Sequence, residues 1–231
     1  MRRYLVVALL LGTFAIPADA GTKGCPFLTD PRGDVRVVPS GQGATAADSA
    51  GARPGEDILS SDVWADRTYL TAVLRVDALP SKGESGSTPD AQGIWWIWFI
   101  DTADGQLWLD ADERDGHYWF HAAYGHVRHA GSDSASASAG SYEPIDGATG
   151  TVNNRAATIR VRLPLSALGV FTQVSPGTVL THTQVTSFAS VGMPSLNLPQ
   201  TTQSGSANTG EERDDAQTSR HVIMGTPNCV S

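Results

Sequence analysis

The stretch from Ile94 to Gly125, IWWIWFIDTADGQLWLDADERDGHYWFHAAYG, constrains the fold more than any other part of the chain. It holds five of the six tryptophans. Residues 94–101 are apolar or aromatic up to Asp101. The run is too short for a globular helix and rich in residues that suit a pleated surface. Asp104-Gly105 tolerates the positive φ of a tight hairpin turn. Gln106 to Asp112 is a second predicted strand. Glu113 to Gly116 is a second turn, and His117 to Tyr124 a third strand.

Pairing these strands by their turns sorts the side chains by alternation. One face collects Ile94, Trp96, Trp98, Ile100, Leu107, Leu109, Tyr118, Phe120 and Tyr124, and is assigned to the core. The other collects Trp95, Ile97, Phe99, Asp101, Trp108, Asp110, His117, Trp119 and His121. Flat rings interleaved with acids and imidazoles suit a ligand that offers both apolar faces and hydroxyls. Trp95, Trp108 and Trp119 would be the platform, with Asp101, Asp110, His117 and His121 as polar partners. The competing reading is a sheet covered on both sides, with these tryptophans as core.

The chain begins Met1-Arg-Arg-Tyr, runs apolar from Leu5 to Ile16, and then carries Ala18-Asp19-Ala20. That is the pattern of a secretory signal peptide cleaved after Ala20. The apolar run is too short to span a bilayer. The expectation is a secreted protein without membrane insertion, its residues 21–231 forming one domain. Net charge is −8, and loss of Arg2, Arg3 and Asp19 makes it −9. That argues against nucleic acid as a partner, which needs a basic patch. Cys25 and Cys229 are the only cysteines. In an oxidising compartment one disulfide between them is the simple expectation.

Elsewhere the chain reads as short strands between small, polar loops. Strands are expected at Val35–Val38, Asp57–Trp64, Tyr69–Val76, Ser141–Ile145, Ala157–Leu163, Val179–Ser190 and His221–Met224. Pro164 to Gly169 reads as one helical turn. The fold expected is an all-β antiparallel sandwich of about eight to ten short strands with long polar loops.

The order of motifs resembles a known group. DPRGD stands near the mature start, followed by EDILSSDVWADRTYLTAVLRV and an aromatic strand ending at Asp101. GATGTVNNRAATIRVRLPLSALG comes next, then DDAQ before a closing cysteine. This is similar to exported bacterial β-sandwich domains of the carbohydrate-binding family 9 and DOMON-like kind, over nearly the whole mature chain. The resemblance implies a non-catalytic binding or accessory sandwich, sometimes with structural calcium, and fold alone does not fix the ligand.

Carboxylates from separate segments point to the same ion. Asp30 and Asp34 flank a turn, Asp57 starts a strand, and Asp214 and Asp215 lie where the expected disulfide would bring them back towards Cys25. Calcium takes several hard oxygen ligands. Asp30, Asp34, Asp57 and Asp215 are the candidate metal ligands; Glu56 and Asp62 are weaker ones. The bland alternative makes them solvated turn and strand-start residues.

No catalytic constellation stands out. There is no Gly-x-Ser-x-Gly elbow. His117 and His121 lie four apart, which on a strand separates them by about 13 Å, too far to share a metal. The functional expectation is a secreted, non-catalytic module for extracellular carbohydrate with a structural calcium ion. The alternatives are a structural or protein-interaction module, and a secreted hydrolase.

Overall fold

The computed structural model describes residues 28–35, 53–81, 93–125, 142–180, 182–190, 211–218 and 221–222. The expected signal peptide, Cys25 and Cys229 lie outside these residues. Among them, thirteen strands and a single turn of helix follow one another. They are β1 (Leu28–Thr29), β2 (Ile58–Ala65), β3 (Tyr69–Val76), β4 (Gly93–Asp101), β5 (Gln106–Arg114) and β6 (His117–Gly125). Next come β7 (Tyr142–Pro144), β8 (Thr149–Asn153), β9 (Thr158–Pro164), α1 (Leu165–Leu168), β10 (Val179–Leu180), β11 (His182–Ser190), β12 (Glu211–Thr218) and β13 (His221–Val222).

The fold is an antiparallel all-β sandwich. One sheet has the order β1-β2-β3-β9-β8, the other β12-β11-β4-β5-β6-β7, and β10 pairs with β13 separately. The expected single strand over Val179–Ser190 is thus two elements, serving different sheets. Val35 is buried but lies in no strand. β8 and β12 were not anticipated: β8 is short and carries Gly150, and β12 is dense with charge.

The core fills the gap between the sheets. Ile94, Trp96, Trp98 and Ile100 of β4, with Leu107, Leu109 and Ala111 of β5, face Ile58 and Val63 of β2, Leu70, Leu74 and Val76 of β3, and Ile159, Val161 and Leu163 of β9. The register runs Ala216–Val185–Trp98–Leu109–Ala122 straight across the larger sheet. Buried indoles need partners for their N–H groups. Trp98 Nε1 donates to Ser61 Oγ at 2.8 Å, and Trp96 Nε1 donates to Gly55 O at 2.9 Å. These two bonds pin the aromatic strand to β2 of the opposite sheet and to the turn just before it, and fix which face it buries.

The two hairpins differ. The β5–β6 turn is Asp115-Gly116, both at positive φ (49° and 78°), closing on the pair Arg114–His117. That is the geometry of a two-residue turn that matches strand twist. The β4–β5 loop spans Thr102 to Gly105 between Asp101 and Gln106. Gly105 is not at positive φ. A Cβ there would run into Gly125 O and lie 2.8 Å from Tyr124 Oη. Close approach of β6, not backbone handedness, explains this glycine.

Candidate functional site

The outward face of the larger sheet carries every residue named for ligand contact. Pairing places Trp95 opposite Asp112 and Asp112 opposite Trp119. Phe99, Trp108 and Ala123 form the next row but one. Between these rows run Ile97, Asp110 and His121, and at the far end Arg114 faces His117.

The three tryptophans share this face without sharing an exposure. Trp119 is 41% exposed and Trp95 only 4%. The cause is strand position. β4 lies between β11 and β5, so Trp95 has strand neighbours on both sides, and its indole hydrogen-bonds Asp110. β6 lies towards the edge, and Trp119 projects from it beside His117, with ring centroids 6.1 Å apart. The expected open row of three indoles is therefore not the arrangement found; only its outer member is open.

Trp108 is half-buried and belongs to a local network. Tyr142 packs on it at 3.8 Å between centroids, and Phe99 meets it edge-on at 5.1 Å. Trp108 Nε1 and Tyr142 Oη both donate to Gln106 Oε1, at 2.8 and 2.9 Å. Gln106 Nε2 in turn donates to Asp101 Oδ1 at 2.7 Å. Burial pushes the Tyr142 phenol up to about 12, so it stays a donor. Gln106 was missed in the sequence although it has the same parity as Trp108. Tyr142 could not have been placed, because residues 126–141 separate it from β6 in the sequence.

A charged cluster lies one row away. Asp110 is fully buried, and its Oδ1 sits 2.9 Å from His121 Nδ1. Desolvation raises the Asp110 carboxyl, with the His121 and Trp95 hydrogen bonds opposing it. The hydrogen bond to Asp110 raises His121 above the ordinary imidazole range, against its own partial burial. The pair thus holds one proton to higher pH than a free imidazole would. Asp112 lies two residues on, pushed up to about 6 by burial, with Arg114 pulling the other way from 3.3 Å. Asp112 and Arg114 extend the same alternation and were not singled out from the sequence. Asp101 also lies 3.8 Å from His182 Nδ1.

The expected calcium ligands lie elsewhere, where the first strand meets the second. Asp30 N donates to Leu59 O at 3.1 Å, and Gly33 N donates to Asp57 Oδ2 at 2.8 Å. Asp57 is 3% exposed, and its Oδ1, like Asp34 Oδ1, is buried with no hydrogen-bond partner. Burial raises the Asp57 carboxyl, and Asp77 and Asp34 raise it further. Arg32 pairs with Asp77 at 2.7 Å. Asp215 sits opposite Thr186 in the β11–β12 ladder. Among the described residues no three acids or imidazoles form a group arranged to hold an ion.

No protein-family model, curated protein or solved structure matches this chain. The likeness to family-9 carbohydrate-binding and DOMON-like sandwiches rests on the sequence motifs alone. Among the described residues no helix is long and apolar enough to cross a membrane.

Proposed function

We propose that this chain is a secreted, non-catalytic binding module for extracellular carbohydrate. The observation that carries the reading is Trp119, an exposed indole on a sheet face where Asp112 and the Asp110–His121 pair lie in adjoining positions. A sugar ring offers a C–H face to stack on an indole and hydroxyls for nearby acids and imidazoles. Trp119 would stack, His117 would flank it, and His121 and Asp112 would take hydroxyls. Trp108, Asp101 and the covered Trp95 would hold the face in shape.

A structural calcium ion belongs to the same reading. The buried, unpartnered Oδ1 atoms of Asp34 and Asp57 suit a hard cation, which would also relieve their mutual repulsion. These two acids would supply part of the shell, and backbone carbonyls and water the rest.

Tryptophan fluorescence, titrated with a panel of polysaccharides, tests the carbohydrate reading. A glycan that shifts or quenches emission in the wild type but not in Trp119→Ala supports it. No response to any glycan removes it. The Asp110–His121 pair favours one rival, a hydrolase with an acid-oriented imidazole. Turnover of a glycosidase or esterase substrate that is lost in His121→Gln would put that rival in its place.

A further inference from the structure

We propose that two copies of this chain associate through the free edge of β6, about a two-fold axis at Trp119. The argument starts from hydrogen-bond parity. Arg114 and His117 close a two-residue turn, so they form a bonded pair. The backbone groups of His117, Trp119 and His121 therefore point towards β5. Those of Tyr118, Phe120 and Ala122 point the other way, off the edge of the sheet. β7 covers only Ala123 to Gly125, and Ile145 N takes Ala122 O at 2.8 Å. On that side, away from β5, none of the described strands pairs with Tyr118 or Phe120.

The other edges are protected in recognisable ways. β12 opens with Glu211, Glu212, Arg213, Asp214 and Asp215. β1 is two residues long, β7 ends in Pro144, and β8 is short and carries Gly150. The free stretch of β6, His117 to His121, has no Asp, Glu, Lys, Arg or Pro, and its ladder with β5 has no bulge. It also carries the exposed Trp119.

The occupant follows from which groups are already engaged. With the two-fold axis at Trp119, Tyr118 of each copy bonds Phe120 of the second, and the four free groups on each side meet only free groups. An axis at Tyr118 would bring Phe120 onto Gly116, whose N–H is held by Glu113 Oε1 at 2.6 Å. An axis at Phe120 would bring Tyr118 onto Ala122, whose carbonyl is held by Ile145. The Trp119 axis also sets the two Trp119 side chains at a non-bonded pair, where cross-strand side chains lie closest. The result is one continuous sheet with the two ligand faces side by side, a consequence independent of what those faces bind.

Sedimentation equilibrium of the mature chain and its variants tests this, with circular dichroism confirming that each variant folds. The wild type should show a concentration-dependent monomer–dimer equilibrium. Trp119→Lys and Trp119→Glu should each be monomeric, because each sets like charges face to face on the axis. Mixed together, W119K and W119E should recover a dimer. In the wild type, exchange of the Tyr118 and Phe120 amides should slow as concentration rises, while that of Trp119, already turned to β5, should not change. A wild type that stays monomeric at millimolar concentration would overturn the proposal. So would a mixture that does not reassociate, or a dimer that leaves the Tyr118 and Phe120 amides unprotected. The glycan response at dilute concentration is read separately, so neither result stands in for the other.

Discussion

Asp110 Oδ1 meets His121 Nδ1 at 2.9 Å across the β5–β6 ladder, with the acid fully buried and the imidazole at the surface. The hydrogen bond that His121 donates to the acid is the larger influence on its titration, and burial the opposing one. In an NMR titration, His121 should titrate above the ordinary value near 6.5. Asp110→Asn removes the favourable partner and leaves the burial, so the midpoint should drop to about 6.5 or below. An unchanged midpoint would show that the pair is not coupled in solution.

The neighbouring carboxyl sets an unusual sign for stability against pH. Asp112 is raised to about 6 in the folded chain, against about 3.9 when unfolded. The folded state therefore binds the proton more tightly. That contribution is fully present below about pH 4 and is lost as pH rises through about 6. Two units correspond to about 3 kcal/mol. His121, also raised, loses its contribution higher, as pH climbs from about 6.5 through its folded value. Urea unfolding should show less stability at pH 8 than at pH 5. Asp112→Asn should flatten the lower part of that slope, and His121→Gln the upper part.

Much of this fold is legible in the residues because alternation over three adjacent strands leaves one register that buries Ile94, Trp96, Trp98, Leu107 and Leu109 together. The fully buried acid on the opposite face was visible as Asp110 but not as buried. Alternation gives the face a side chain lies on, not what covers it, which is why Trp95 and Trp119 looked alike. β12 was hidden because strand formation there is imposed by pairing with β11 rather than by apolar content. Thr149 to Asn153 was hidden by Gly150, a residue disfavoured inside strands. It sits in β8 because a Cβ there would strike the Phe120 ring of the facing sheet.

The two hairpin glycines should respond oppositely to asparagine. Gly116 has φ 78°, a conformation asparagine tolerates, so Gly116→Asn should cost well under about 1 kcal/mol. Gly105 needs only the absence of a side chain, because a Cβ would meet the Gly125 carbonyl. Gly105→Ala and Gly105→Asn should therefore be similarly harmful, by about 1–3 kcal/mol. Chemical denaturation of the three variants decides it; a tolerated Gly105→Ala would mean that β6 can retreat.

The proposed calcium ion can be tested at Asp57. Asp57 is only 3% exposed, and one carboxylate oxygen has no hydrogen-bond partner while the other accepts from Gly33. Without a cation, ionised Asp57 is unfavourable, as its raised titration indicates. With calcium at 100 times its dissociation constant, binding would add about 2.7 kcal/mol. Thermal melts at pH 7.5 should therefore rise with calcium and fall with chelator in the wild type. Asp57→Asn keeps an acceptor for Gly33 and removes the charge. It should be at least as stable as the wild type in chelator and should gain nothing from calcium. Those two signs separate an ion ligand from an ordinary turn residue, for which Asp57→Asn would leave the calcium response unaltered.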